Sequence, residues 1–143
     1  MSPAEARHVT FSYGRVFPYR KQLTEAFYDS LFDIAPEMRP LFPADMTGQR
    51  EKLSQALNMI ITHLADIGDI IGPVKALGAR HRAYGVTAAD YEVVGLALVA
   101  ALKKVTPGGL SPAEERAWVA AYNVLADAMA NATDADLRST ATA

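Results

Sequence analysis

The chain has 143 residues, half of them apolar and 21% charged, with a net charge of −2 and no cysteine. This length suits one domain with a real core, the near-neutral charge gives no electrostatic support for nucleic-acid binding, and the lack of thiols excludes disulfides, zinc–thiolate sites, iron–sulfur clusters and cysteine nucleophiles. The first residues are too polar for a signal peptide and the longest apolar run, Val93 to Leu102 with Gly95 inside, is too short to span a bilayer, so a soluble protein of the cytoplasm is expected.

The punctuation is helical throughout. Ser2-Pro3-Ala4-Glu5 is a capping box with proline at the first helical position. It opens a helix running to about Val16, with Val9, Tyr13 and Val16 on one face. Pro18 is expected to start a second helix, whose stripe is Leu23, Phe27, Leu31 and Ile34. Pro36 ends it, because the residue before a proline is pushed out of the helical region. A short turn leads to Leu41-Phe42, and residues 43–47 form a loop. The next helix, about Gly48 to Ala65, is the most periodic, with Leu53, Leu57, Ile60, Ile61 and Leu64 at helical spacing. Gly68 and Gly72-Pro73 interrupt the pattern. Pro73 is expected to open a short helix carrying Val74, Leu77 and His81, with Gly85 after it. Thr87-Ala88-Ala89-Asp90 caps a long helix through Val94, Leu98 and Leu102. After the break at residues 106–109, Ser111-Pro112-Ala113-Glu114 repeats the first cap and opens a last helix with Trp118, Tyr122, Leu125 and Met129. No segment reads as a strand, so the fold class is all-α, with six or seven helices.

The chemistry-bearing candidates are sparse. Of the usual metal ligands, only His8, His63, His81 and carboxylates are present. Their neighbours matter more. Six stretches occur in order: Phe27 to Phe32, Pro36 to Phe42, Gln49 to Leu53, Arg80 to Val86, Asp90 to Gly95 and Ala117 to Tyr122. Together they resemble the globins, in particular the single-domain haemoglobins of bacteria and the globin part of flavohaemoglobins. The resemblance spans the whole chain.

It implies a globin fold around haem b (iron protoporphyrin IX), with a short loop in place of the fourth helix. The globin domain would be residues 1–136 and the frayed tail residues 137–143. His81 would be the proximal iron ligand, its other ring nitrogen donating to the Leu77 carbonyl one turn back. Phe42 would stack on the porphyrin, and Leu53, Phe32 and Val86 would keep the site dry. Tyr28 and Gln49 would form the distal pair, a phenol O–H and an amide N–H aimed at the partial negative charge of bound dioxygen. His63 lies fourteen residues beyond Gln49, too far to replace it, so a second histidine on the iron is not expected. Lys52, Arg80 and more weakly Arg82 are basic residues where propionates would lie, and solvated surface charge explains them equally well.

Two departures accompany the resemblance. Tyr91 keeps the proximal tyrosine of flavohaemoglobins, but the glutamate that reaches the histidine there falls at Thr133 or Asp134, so the electron push that favours O–O cleavage is in doubt. The seven-residue step from Phe42 to Gln49 is expected to close its side of the pocket loosely. The functional expectation is reversible binding of O2, with NO and CO as further ligands, for storage, delivery or sensing. The alternative is a nitric oxide dioxygenase, with weak peroxidase activity also conceivable. These residues leave no room for a flavin or NAD domain and hold no glycine-rich dinucleotide fingerprint, so turnover would require a separate NAD(P)H-dependent reductase. A third reading is a cofactor-free regulatory domain of globin shape. The sequence is compatible with a monomer or a homodimer.

Overall fold

Helix-start signals account for most of the architecture. A computed structural model describes residues 2–83 and 85–132, and within them it places six α-helices: α1 Pro3–Val16, α2 Arg20–Ile34, α3 Thr47–Thr62, α4 Ile71–Ala83, α5 Ala88–Val105 and α6 Pro112–Ala130. Shorter 3₁₀ turns occupy Phe17–Tyr19, Pro36–Leu41 and Leu64–Asp69. No strand occurs among the described residues, and no described helix is long and apolar enough to cross a membrane.

The two Ser-Pro-Ala-Glu signals act as the sequence suggests. At α1, the Glu5 N–H donates to Ser2 Oγ and the Ser2 N–H donates to Glu5 Oε1, both at 3.1 Å. At α6, the Glu114 N–H donates to Ser111 Oγ at 3.1 Å and the Ser111 N–H to Glu114 Oε1 at 2.9 Å. At α5, the N–H and hydroxyl of Thr87 both donate to Asp90 Oδ2.

Three boundaries differ from the sequence expectation. Pro18 lies inside the 3₁₀ turn Phe17–Tyr19, and α2 begins at Arg20. Helix α3 stops at Thr62 rather than Ala65, because the chain tightens into a 3₁₀ turn with Asp66 outside the helical region (φ −125°, ψ 54°). Helix α4 starts at Ile71, two residues before Pro73. First-turn N–H groups have no intrahelical partner, so a proline there places the start only to within a turn.

One core joins the helices. α2 packs against α5, where Ala97 and Ala101, both fully buried and one turn apart, let Leu23, Phe27 and Leu31 come close. α1 packs against α6 through Val9 and Val16 on one side and Ala117, Trp118 and Ala121 on the other. Two polar ties cross that interface. The Trp118 indole N–H donates to the fully buried Ser12 hydroxyl at 2.7 Å, which itself donates to the His8 carbonyl at 2.7 Å. Arg15 donates to both carboxylate oxygens of Glu114, at 2.6 and 3.1 Å, and to the Gly109 carbonyl at 2.9 Å. This bidentate pairing, reinforced by Ser111, outweighs burial and draws the Glu114 carboxyl from its ordinary 4.5 down to about 2.

Helix α4 also packs on α6. A Cβ added at Gly78 would lie 2.3 Å from the Met129 carbonyl oxygen and 2.4 Å from its Cα. Backbone meets backbone here, so only glycine fits. A mid-helix glycine costs about 1 kcal/mol against alanine, and this close approach is its structural return.

Two measurements test this frame. Glu114 titrates near 2 in the folded chain against 4.5 ordinarily, so its contribution is complete above pH 4.5 and is lost as pH falls toward 2. Glu114→Gln should therefore be less stable than the parent at neutral pH, and melting curves taken at decreasing pH should show that gap closing. Gly78→Val should cost about 1–3 kcal/mol in urea unfolding, whereas Gly48→Ala, whose added Cβ meets nothing within 4 Å, should be neutral or better.

Candidate functional site

The last turn of α4 carries a half-buried imidazole. His81 Nδ1 lies 2.7 Å from the Leu77 carbonyl oxygen. A carbonyl only accepts, so Nδ1 carries a proton, and in the neutral form of the ring the lone pair is on Nε2. The backbone beyond is closed by a Schellman arrangement: the Val86 N–H donates to the His81 carbonyl at 3.1 Å and the Gly85 N–H to the Arg82 carbonyl at 2.9 Å. Gly85 has φ 91°, a conformation that favours glycine. The ring and the main chain of His81 are thus both tied to neighbours of fixed position. A neutral imidazole with one free nitrogen suits a metal that brings its other ligands with it.

A second group gathers on α2, the following turn and α3. Tyr28 is 6% exposed, and its ring meets Phe27, Phe42 and Phe32 at centroid distances of 4.9, 5.6 and 6.0 Å. Phe32 and Phe42 meet edge-on at 5.4 Å. Burial raises the Tyr28 phenol above its usual value, and the Gln49 side chain within reach draws it partly back. The phenol therefore stays protonated at neutral pH, as a donor must. Gln49 is half-buried. Leu53, Leu57 and Ile60 of α3 are only partly buried against the core, and Ile61 is the buried member of that stripe within α3. The most periodic helix of the sequence thus spends much of its apolar face outside the fully closed core. α3 and α4 share no substantial packed face, and the tyrosine–glutamine group and His81 stand on these separate parts of the frame.

Side chains tie down the loop after Phe42. Arg39 donates to the carbonyls of Phe42, Pro43 and Ala44 at 3.3, 3.0 and 3.3 Å, and its guanidinium lies 5.2 Å from the centre of the Phe32 ring. The Thr47 N–H donates to Asp45 Oδ1 at 3.0 Å. No α-helix interrupts residues 42–46. Sequence reading passed over Arg39. Its signal is an arginine between two prolines, just ahead of loop carbonyls that lack backbone donors. It also passed over Gly78, a mid-helix glycine needing a packing reason.

The remaining candidates fall as follows. Lys52 and Arg80 are exposed and have no ion pair among the described residues. Val86 and the buried Tyr91 line a cavity of about 290 Å³ with Arg82, Thr87, Ala88, Met129 and Ala130. Tyr91 is not hydrogen-bonded to His81, whose Nδ1 is taken by Leu77; its carbonyl accepts from the Tyr122 hydroxyl. Burial raises the phenols of both tyrosines, and Tyr91 adds to the rise at Tyr122. His63 is exposed at the end of α3, its Nδ1 donating to the Met59 carbonyl at 2.8 Å. Thr133 and Asp134 lie outside the described residues.

Comparison with known proteins places this arrangement. Residues 25–129 match the globin family model. The chain is 34% identical over 111 residues to a flavohemoprotein of Bacillus subtilis, an alignment covering 74% of this chain and 27% of that one. It therefore spans about a quarter of the length of that relative. Among solved structures, a bacterial globin from Campylobacter jejuni superposes with a TM-score of 0.79 at 20% identity, covering 99% of this chain and all of that one. An engineered carbene transferase, described as a candidate nitric oxide dioxygenase from Rhodothermus marinus, superposes with a TM-score of 0.81 at 22% identity, covering 99% and 97% of the two chains. The family match together with the helix order identifies the fold, and the chain belongs to the globin family.

Proposed function

We propose that the chain holds haem b between α3 and α4 through Nε2 of His81 and binds dioxygen reversibly, with nitric oxide and carbon monoxide as further ligands. The observation that carries this reading is the His81–Leu77 hydrogen bond of 2.7 Å, which occupies Nδ1 and leaves Nε2 as the nitrogen open to a metal. Haem supplies the iron at which a diatomic gas binds. The chain's residues do the rest. Phe42, Phe32, Leu53 and Val86 offer apolar surface to a flat macrocycle and exclude water. Tyr28 and Gln49 donate hydrogen bonds to a polar gas ligand from a low-dielectric setting, where such bonds are strongest. Lys52 and Arg80 offer positive charge to carboxylates at the rim. His63, exposed at the end of α3 and engaged with its own helix, would not supply a second nitrogen to the iron.

The names of the relatives support a second reading. A flavohemoprotein and a candidate nitric oxide dioxygenase are both similar to this chain. The same tyrosine–glutamine pair serves nitric oxide oxidation if a separate reductase supplies electrons. Sustained consumption of nitric oxide with an added NAD(P)H-dependent reductase would favour the enzyme, and failure to re-reduce would favour the carrier.

Absorption spectra of the ferric, ferrous and carbon monoxide-treated protein test the ligand. The parent should show an intense Soret band, and His81→Ala should lose haem or its normal spectrum; an unchanged spectrum would overturn the assignment. Tyr28→Phe should release dioxygen faster, by about tenfold or more if the phenol bond contributes about 1.5 kcal/mol. Stopped-flow release at the parental rate would remove Tyr28 from the gas site.

A further inference from the structure

Helix α5 has two faces. Tyr91, Ala97, Leu98, Ala101 and Leu102 are buried. On the other side lie Glu92, Leu96, Val99 and Lys103, separated by four, three and four residues. At 3.6 residues per turn these four fall within a sector of about 60° over about 16 Å of helix. Leu96 is 63% exposed, one of the most exposed large apolar residues of the chain, and Val99 is half-buried. Opposite charges close the two ends of the stripe.

The stripe is symmetric about its midpoint. Glu92 and Lys103 are equidistant from the point between Ala97 and Leu98, and so are Leu96 and Val99. An antiparallel helix of the same sequence is therefore its complement. Leu96 meets Val99 of the partner subunit, and Glu92 meets Lys103 of the partner subunit, twice over by the two-fold axis. This is the geometry of an isologous contact. The charges have room for it. Glu92 has no ion pair among the described residues, and Lys103 reaches only the half-exposed Glu115, at 3.0 Å. The apolar surface also continues sideways. α5 and α6 run antiparallel, since Gly95 abuts Tyr122 while Lys103 meets Glu115. Val119, one turn along α6 from Glu115, is 42% exposed.

We infer that this face of α5, edged by α6, is the seam of a homodimer, and that its occupant is a second copy of this chain packed antiparallel across a two-fold axis. A single helix pair buries less than the roughly 1,600 Å² of a standard stable interface, so the dimer is a weak, concentration-dependent one. The inference is independent of what α3 and α4 hold.

Sedimentation velocity on the full purified chain, from low micromolar to near-millimolar concentration, tests it. The parent should pass from monomer to dimer across that range. Leu96→Glu should weaken association by at least about tenfold, because it buries an unpaired charge at the centre of the seam. Glu92→Lys and Lys103→Glu should each weaken self-association, since each puts like charges face to face. Mixed in equal amounts, the two single variants should associate with one another, because every charge pair is then opposite. The three substituted residues are exposed, and circular dichroism checks that each variant is folded. A parent that stays monomeric, a Leu96→Glu variant that dimerises as before, or a mixture no more associated than its components would overturn the proposal.

Discussion

At Gly78, helix α4 lies so close to the Met129 backbone that a methyl group has no room. His81 is three residues further along the same helix. The position of its imidazole is therefore inherited from α6, and α6 is itself fixed to α1. The buried Trp118–Ser12 bond and the Arg15–Glu114 pair join helices whose residues are about a hundred positions apart in sequence. A rigid line of support thus runs from α1 through α6 to α4. The tyrosine–glutamine group stands outside this line, on α2 and α3, although α1 also contacts α3.

That group belongs to a second line of support. Tyr28 and Phe32 ride on α2, which is packed against the small-residue face of α5, and Phe42 is held by the turn that Arg39 pins. Donors and imidazole are thus held by different helix pairs, which meet in the common core but not across α3 and α4. The arrangement suits a family whose ligand sits between its helices. It also explains why the apolar stripe of α3 is only partly buried. Leu53, Leu57 and Ile60 pack against the core from its edge and keep part of their apolar surface outside it.

Much of this was legible in the sequence. Capping boxes locate the starts of α1, α5 and α6, because they act through bonds spanning three or four residues. The last-turn histidine and its carbonyl partner were legible for the same reason, since one turn of helix brings residues 77 and 81 together wherever the helix lies. What escaped depends on distant backbone. Gly78 reads only as a weak spot in a helix until α6 is placed beside it. Arg39 reads as a surface charge until the loop after Phe42 folds its carbonyls toward it. The first turn of α4 was misread for a different reason: a proline is compatible with several positions in a first turn, so Pro73 does not select one. Thr133 and Asp134, where the resemblance would put a group behind His81, lie outside the described residues.

The partner that fixes the His81 tautomer is a main-chain oxygen. Its position depends on the helix and not on which side chain residue 77 carries. Substitutions at Leu77 that leave the helix intact therefore cannot remove the acceptor, although they alter the packing around it. Which nitrogen the ring presents is settled within a single helical turn, while where the ring stands is settled by α6. The two properties a ligating histidine must satisfy are thus insulated from one another, and a sequence can drift in its core without changing the protonation pattern of the ring.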